Sequence, residues 1–264
     1  RTSSGPGELT ARYKSKVLGE FPEEGDNSFF SQLAIDKAYD TSIEEDGNEK
    51  PIIGVDVARF GSDENRMMVN RGGLIRQYDD GTEDGGAWSK TDLITTARKI
   101  HTAANRLGAE LVNIDANGVG GGVIDALTTL EEFEDATYMV GAIYGSNASP
   151  DNHRWFNARA YQYDHLRTLM MEGKVDLDYD DEQLRDELIS QTYKFNNKGA
   201  IQITSKDEMR SQGLKSPDTL DAVVLSVIDF KEELEETGPK PGSVLTYSDL
   251  IQEKEHAFYA NSYW

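Results

Sequence analysis

An aspartate interrupts a run of residues that otherwise reads as a buried strand. Residues 51–70 are PIIGVDVARFGSDENRMMVN, and Ile52–Val57 has the short, apolar character of a strand covered on both faces, except at Asp56. An unpaired carboxylate in such a place normally neutralises, finds a cation or binds a metal. A second carboxylate, Asp63, follows after a Gly-containing turn. The ordinary reading of Asp56 is a turn cap at a strand end; the sharper one is a metal ligand, since sites in open α/β sheets gather at the carboxyl ends of strands.

The fold class follows from the order of elements along the chain. Arg66–Asn70 and Leu74–Tyr78 read as two further strands around an NRGG turn, which makes the first three strands antiparallel. Ser89–Leu107 is predicted as an amphipathic helix, with Leu93, Ala97, Ile100 and Ala104 on one face and an S-x-x-D capping pattern at Ser89 and Asp92. AELVNIDA (109–116) is a strand ending on Asp115, NGVGGG turns into a helix over Val123–Leu130, and TYMVGAIY (137–144) is another strand. Helices follow at Asn152–Glu172 and Asp181–Ile189, then a hairpin in TYKFNNKGAIQIT. Ser216-Pro217 opens a last helix through about Glu233. The expected fold is α/β, with a mixed central sheet flanked by helices and a β-hairpin inserted before the last helix.

Composition narrows the chemistry. The chain of 264 residues has no cysteine, and its four histidines (His101, His153, His165, His256) form no cluster, so a metal here must be a hard cation held by oxygen. No apolar run is long enough to span a bilayer, and the start of the sequence lacks a signal-peptide pattern, which fits the cytoplasm and no membrane partner. The formal net charge of -21 argues against a nucleic-acid partner as a whole-surface property, but a local basic groove can coexist with an acidic body. Residues 1–50 are turn-rich and charged, with a short helical possibility at Glu8–Val17, and read as a linker or arm whose Phe29–Phe30 pair docks on the main body. The main domain is predicted over 51–236 and a polar tail over 237–264.

Three carboxylate sources can converge. Asp56 and Asp115 lie toward the carboxyl ends of their strands, and SPDTLDAVVLSV puts Asp218 and Asp221 on one face of the last helix with Ala222 and Leu225. Carboxylates brought together repel and need a cation. Each has an ordinary explanation as well: a helix-dipole partner for Asp218, an Asx turn for Asp115, a turn cap for Asp63.

GVDVARFGSDENRMMV, VNIDANGVGGGVIDAL and SPDTLDAVVLSV together resemble the three acidic motifs of the nuclease domain of bacteriophage large terminase subunits, a branch of the RNase H-like nucleases. VLGEFPEEGDNSFF, FNARAYQYDHLRTLMMEG and GAIQITSKDEMRSQGLKSPD resemble further stretches of it, so that the likeness spans roughly residues 14–232. The resemblance implies an RNase H-like sheet and an endonuclease that cuts concatemeric double-stranded viral DNA during packaging, with two Mg2+ or Mn2+ ions. It implies catalytic roles for Asp56, Asp115, Asp218 and Asp221, and metal ligation by Asp56, Asp115 and Asp218 with Asp63 as an accessory ligand. SPD stands where many relatives have an HDD-like triplet, which leaves open whether Asp218 or Asp221 is the direct ligand. DNA contacts would come from cations near the site, among them Arg59, Arg154, Lys206 and Arg210, with Arg159, Lys194 and Lys198 as further candidates. Implied partners are the packaging ATPase domain, the portal and the small terminase subunit, in the host cytoplasm. No G-x-x-x-x-G-K-[ST] loop occurs, so an ATPase half is not expected in this sequence. A Holliday-junction resolvase, an actin-like or sugar-kinase phosphotransferase fragment, and a packaging module without activity remain open at this point.

Overall fold

A computed structural model describes residues 27–58, 64–82, 85–229 and 241–246. Its sheet runs in the order β3-β2-β1-β5-β6-β9, with the two-residue β4 (Ala87–Trp88) paired to β2. The strands are β1 (Ile52–Asp56), β2 (Asn65–Arg71), β3 (Leu74–Gln77), β5 (Leu111–Asp115), β6 (Met139–Ile143) and β9 (Val244–Thr246). β1, β2 and β3 are antiparallel neighbours, while β5, β6 and β9 join in parallel. This is the mixed sheet that the strand order predicts, antiparallel strands first and parallel ones after. β9 lies past residue 236, so part of the segment read as a tail contributes an edge strand.

Side-chain alternation along β1 sorts the two faces. Ile53 and Val55 point into a core shared with Val112 and Ile114 of β5 and with helices α2 (Leu93–Leu107) and α3 (Val119–Thr128). Gly54 and Asp56 point the other way, toward α7 (Asp218–Ser226). The second core joins α7 to α4 (Ala158–Glu172), α5 (Glu182–Ser190) and α1 (Gln32–Asp40). Phe29 and Phe30 are buried in it, so the arm docks through the pair its sequence suggests. The hairpin of β7 (Tyr193–Phe195) and β8 (Ile201–Ile203) stands as a separate two-stranded sheet before α7.

Helix ends differ from the sequence reading in local chemistry. Asp92, not Ser89, caps α2, because its carboxylate accepts from the Thr95 N–H. Asn157 caps α4, five residues inside the predicted start, and Asp181 caps α5. α3 begins at Val119, within the Gly run rather than after it. There a Cβ on Gly120 would lie 1.7 Å from the Asp115 carbonyl oxygen, so this close approach of helix to strand end requires glycine. The Glu8–Val17 helix lies outside the described residues.

Candidate carboxylate centre

Three elements deliver four carboxylates to one edge of the sheet. In the parallel β1–β5 pair, Val55 is opposite Ile114, so Asp56 and Asp115 follow at the next position on adjacent strands, both at carboxyl ends. α7 crosses the same face above them. Asn113, on that face of β5, donates from its side-chain nitrogen to the Leu225 and Ile228 carbonyls at 2.9 and 2.8 Å, which anchors the far end of the helix. The near end then carries Asp218 and Asp221 over Asp56.

One cation already binds three of them. Lys206 Nζ lies 2.8 Å from Asp56 Oδ2, 3.1 Å from Asp218 Oδ1 and 3.1 Å from Asp221 Oδ2. Lys206 starts α6 (Lys206–Ser211), which is fixed by a capping box between Ser205 and Glu208. Asp221 has two more partners on α4: Arg159 Nη2 at 3.0 Å and the Tyr163 hydroxyl at 2.5 Å, both donating to Oδ1. Ser216 Oγ donates to Asp218 Oδ1 at 2.5 Å, and Asp115 Oδ1 accepts from the Asn117 backbone and amide nitrogens. A cavity of about 40 Å³ opens between Asp115 and Asp221, bordered by Asn117, Arg159, Gln162 and Tyr163. It is large enough for water beside the carboxylates.

Asp56, Asp115 and Asp221 do not ionise alike. Burial raises the Asp56 carboxyl well above its usual range, with Lys206 opposing the rise and Asp221, Asp218 and Asp115 adding to it. Burial also raises Asp115, against the Asn117 hydrogen bonds. For Asp221 burial acts in the same direction, but Arg159, Lys206 and Tyr163 outweigh it and hold the carboxyl below its usual range. The Lys206 ammonium is held charged by Asp56, Asp221 and Asp218 despite its burial.

These donors suit a hard cation: the set is all oxygen, and three of its carboxylates already point at a single positive centre. Asp56, Asp115 and Asp218, with Asp221, could hold such an ion. As the side chains stand, no group of three acidic or histidine side chains among the described residues has ligand geometry, and the Lys206 ammonium is the shared partner of Asp56, Asp218 and Asp221. Replacing Lys206 by Met is expected to cost about 1–2 kcal/mol of stability, limited because a stranded carboxyl can take up a proton. Thermal melts with and without Mg2+ check this; the added ion should restore more in the variant than in the wild type.

Other residues singled out by sequence have different settings. Arg59 and Asp63 lie outside the described residues. Lys206, read as a phosphate contact, spends its charge on the carboxylates. Arg154 is half-exposed, pairs with Asp164 and stacks over Trp155. Arg210 is half-exposed and pairs with Asp207, and Lys194 pairs with Glu208. Arg159 meets the cluster itself rather than the surface. Sequence reasoning passed over Tyr163, although its i+4 spacing from Arg159 on one helix face was a usable signal. It also passed over Glu187 of α5, a buried carboxylate that accepts from the Leu220 N–H at 2.7 Å.

Burial pushes Glu187 up from 4.5 to about 7. The folded chain therefore holds this proton more tightly than the unfolded one, so stability falls as pH rises from about 4.5 to about 7, on the order of 3 kcal/mol in all. Glu187→Gln removes that dependence. The variant is expected to melt above the wild type at pH 8.5, with the gap closing by pH 5, in parallel thermal melts across pH. A gap that does not change with pH would show that burial does not govern this carboxyl.

No family model and no curated protein matches the chain. Solved structures do. The nuclease domain of the large terminase subunit gp2 of bacterial virus Sf6 superposes with a TM-score of 0.62 at 19% identity, covering 76% of this chain and 98% of that one. A Lys→Ala variant of that domain, with manganese and β-thujaplicinol, gives 0.61 at 18% over the same shares. The large terminase nuclease from thermophilic phage G20c with bound magnesium gives 0.54 at 16%, covering 76% and 96%. The chain therefore has the fold of phage large-terminase nuclease domains.

Proposed function

We propose that this chain is the nuclease of a phage DNA-packaging enzyme, a metal-dependent endonuclease that cuts concatemeric double-stranded DNA. The convergence of Asp56, Asp115, Asp218 and Asp221 at the carboxyl edge of a terminase-nuclease fold is the observation that carries this reading. The solved structures with similar folds include ones with manganese and with magnesium, which supports a divalent ion as cofactor. Two such ions, Mg2+ or Mn2+, would lower the pKa of an attacking water and stabilise charge on the phosphate and leaving oxygen.

The chain's own groups do the arranging. Asp56, Asp115 and Asp218 are the ligands we assign, with Asp63 as an accessory. Asp221 supports the centre from beside it, since Arg159 and Tyr163 already take up one of its oxygens. Lys206 balances charge among Asp56, Asp218 and Asp221. No Ser/His or Cys nucleophile is needed, because water is the attacking group. Arg59, Arg154 and Arg210 are the proposed phosphate contacts, and the packaging ATPase domain, the portal and the small terminase subunit are the proposed partners, in the host cytoplasm. Among the described residues no helix is long and apolar enough to cross a membrane.

Conversion of supercoiled plasmid to nicked and linear forms tests the reading. Cutting should require Mg2+ or Mn2+, stop with a chelator, and be lost in Asp115→Ala with the fold intact. Cutting that survives the chelator would overturn it. Cleavage of four-way junctions but not of linear duplex would move the assignment to a resolvase.

A further inference from the structure

The helix that carries Asp218 and Asp221 starts without a cap of its own. Pro217 stands at the N-cap position of α7 and offers no side-chain hydrogen bond. Ser216, which precedes it, turns its hydroxyl to Asp218 Oδ1 instead. A helix start leaves several backbone N–H groups needing acceptors, and a residue with a side-chain oxygen at the N-cap usually supplies one. Here the acceptor comes from a different element. Glu187 Oε2, on α5, lies 2.7 Å from the Leu220 N–H, in the first turn of α7.

Glu187 is itself held in a chain of hydrogen bonds. Its Oε1 accepts from Gln183 Nε2 at 2.9 Å, and Gln183 Oε1 accepts from Arg66 Nη2 at 2.8 Å. Arg66 lies on β2 directly opposite Asp56 in the β1–β2 register. Three short hydrogen bonds thus lead from the strand position beside Asp56 to the first turn of the helix bearing Asp218 and Asp221. Burying a carboxylate to accept from a backbone N–H is costly where a serine one residue before the helix would serve. What a local serine would not do is tie the helix start to the sheet.

We propose that Glu187 is a positioning residue for the carboxylate centre, setting where Asp218 and Asp221 stand relative to Asp56 through the Arg66–Gln183–Glu187–Leu220 chain. This rests on the metal-dependent nuclease reading. Glu187 touches none of the four acids, so it acts on the metal only through the helix. A ligand centre loosened in this way loses affinity for its ion, typically about 10–100-fold for outer supporting residues.

Isothermal calorimetry with Mn2+ alone, run beside plasmid-nicking kinetics, separates the possibilities. Glu187→Ala is expected to bind Mn2+ about 10–100-fold more weakly and to lower kcat while KM for plasmid stays within about twofold. Glu187→Gln keeps an oxygen for Leu220 and should recover Mn2+ affinity to within about threefold of the wild type. Gln183→Ala, at an exposed position, leaves the core and the Glu187–Leu220 bond in place, and should weaken Mn2+ binding about threefold; it decides the matter if Glu187→Ala does not fold. A wild type that binds Mn2+ and an Asp56→Asn that does not, with Glu187→Ala or Gln183→Ala binding as tightly as the wild type, overturns the positioning role and leaves the nuclease reading standing. A Glu187→Gln as weak as Glu187→Ala also overturns it. Failure of the wild type to bind Mn2+ at all overturns both.

Discussion

Asp56→Asn is expected to cut DNA about a thousandfold more slowly than the wild type, because loss of a ligand to a Lewis-acid centre removes several kcal/mol of transition-state stabilisation. The same change is expected to raise the melting temperature at pH 8. Burial lifts the Asp56 carboxyl well above its ordinary range, so the folded chain resists its ionisation. A raised carboxyl contributes a penalty that grows as pH rises past the unfolded value, and asparagine carries none of it. Lys206 is not stranded, since Asp218 and Asp221 still face it. Activity and stability therefore move in opposite directions, as expected where a site stores unfavourable charge for function. Nicking assays and thermal melts on one preparation check both arms. Activity within tenfold of the wild type would remove Asp56 from the centre; a lower melting temperature would show that Asp56 is a structural acid stabilised by Lys206.

Asp56 was legible in the sequence because it broke a local rule, a charge inside an apolar strand. Asp115 was legible by its place at a strand end, and Asp218 and Asp221 by an i, i+3 spacing on an otherwise apolar helix. Each of these signals is contained in a few neighbouring residues. The elements that hold the centre together are not. Glu187 reads as one more acid on a charged helix until α5 packs against α7, and Lys206 reads as a surface lysine until the hairpin returns the chain to the sheet edge. Their roles come from contacts between residues more than thirty positions apart in one case and 150 in the other. The SKDE string did carry a capping-box signature for α6, and would have shown that Lys206 sits on an ordered turn. The edge strand β9 gave no signal, since three residues beside a Gly/Pro-rich stretch show no period.

Gly54→Ala is expected to be the most damaging single change in the sheet, costing more than about 4 kcal/mol. A Cβ at this position would lie 2.1 Å from the Ala222 carbonyl oxygen, 2.5 Å from the Ser226 nitrogen and 3.0 Å from the Leu225 carbonyl carbon. All three are backbone atoms of α7, so no side-chain rotamer can relieve the overlap and the helix itself must move. Asn113 resists that movement from the neighbouring strand, where its two hydrogen bonds fix the helix end. The added methyl therefore costs either those bonds or the β1 ladder. Function should fall with stability for a geometric reason. Aspartate has a short side chain, and Asp221 reaches the partner it shares with Asp56 only because glycine lets α7 lie directly on β1. Thermal melts and Mn2+ titration of Gly54→Ala, with Ile53→Val on the opposite face as a comparison, separate this from ordinary core damage. Ile53→Val removes one methylene and should cost about 1 kcal/mol without weakening Mn2+ binding. Gly54→Ala should lose both stability and affinity, and a variant that melts within a few degrees of the wild type would show that the helix does not need this approach to place its acids.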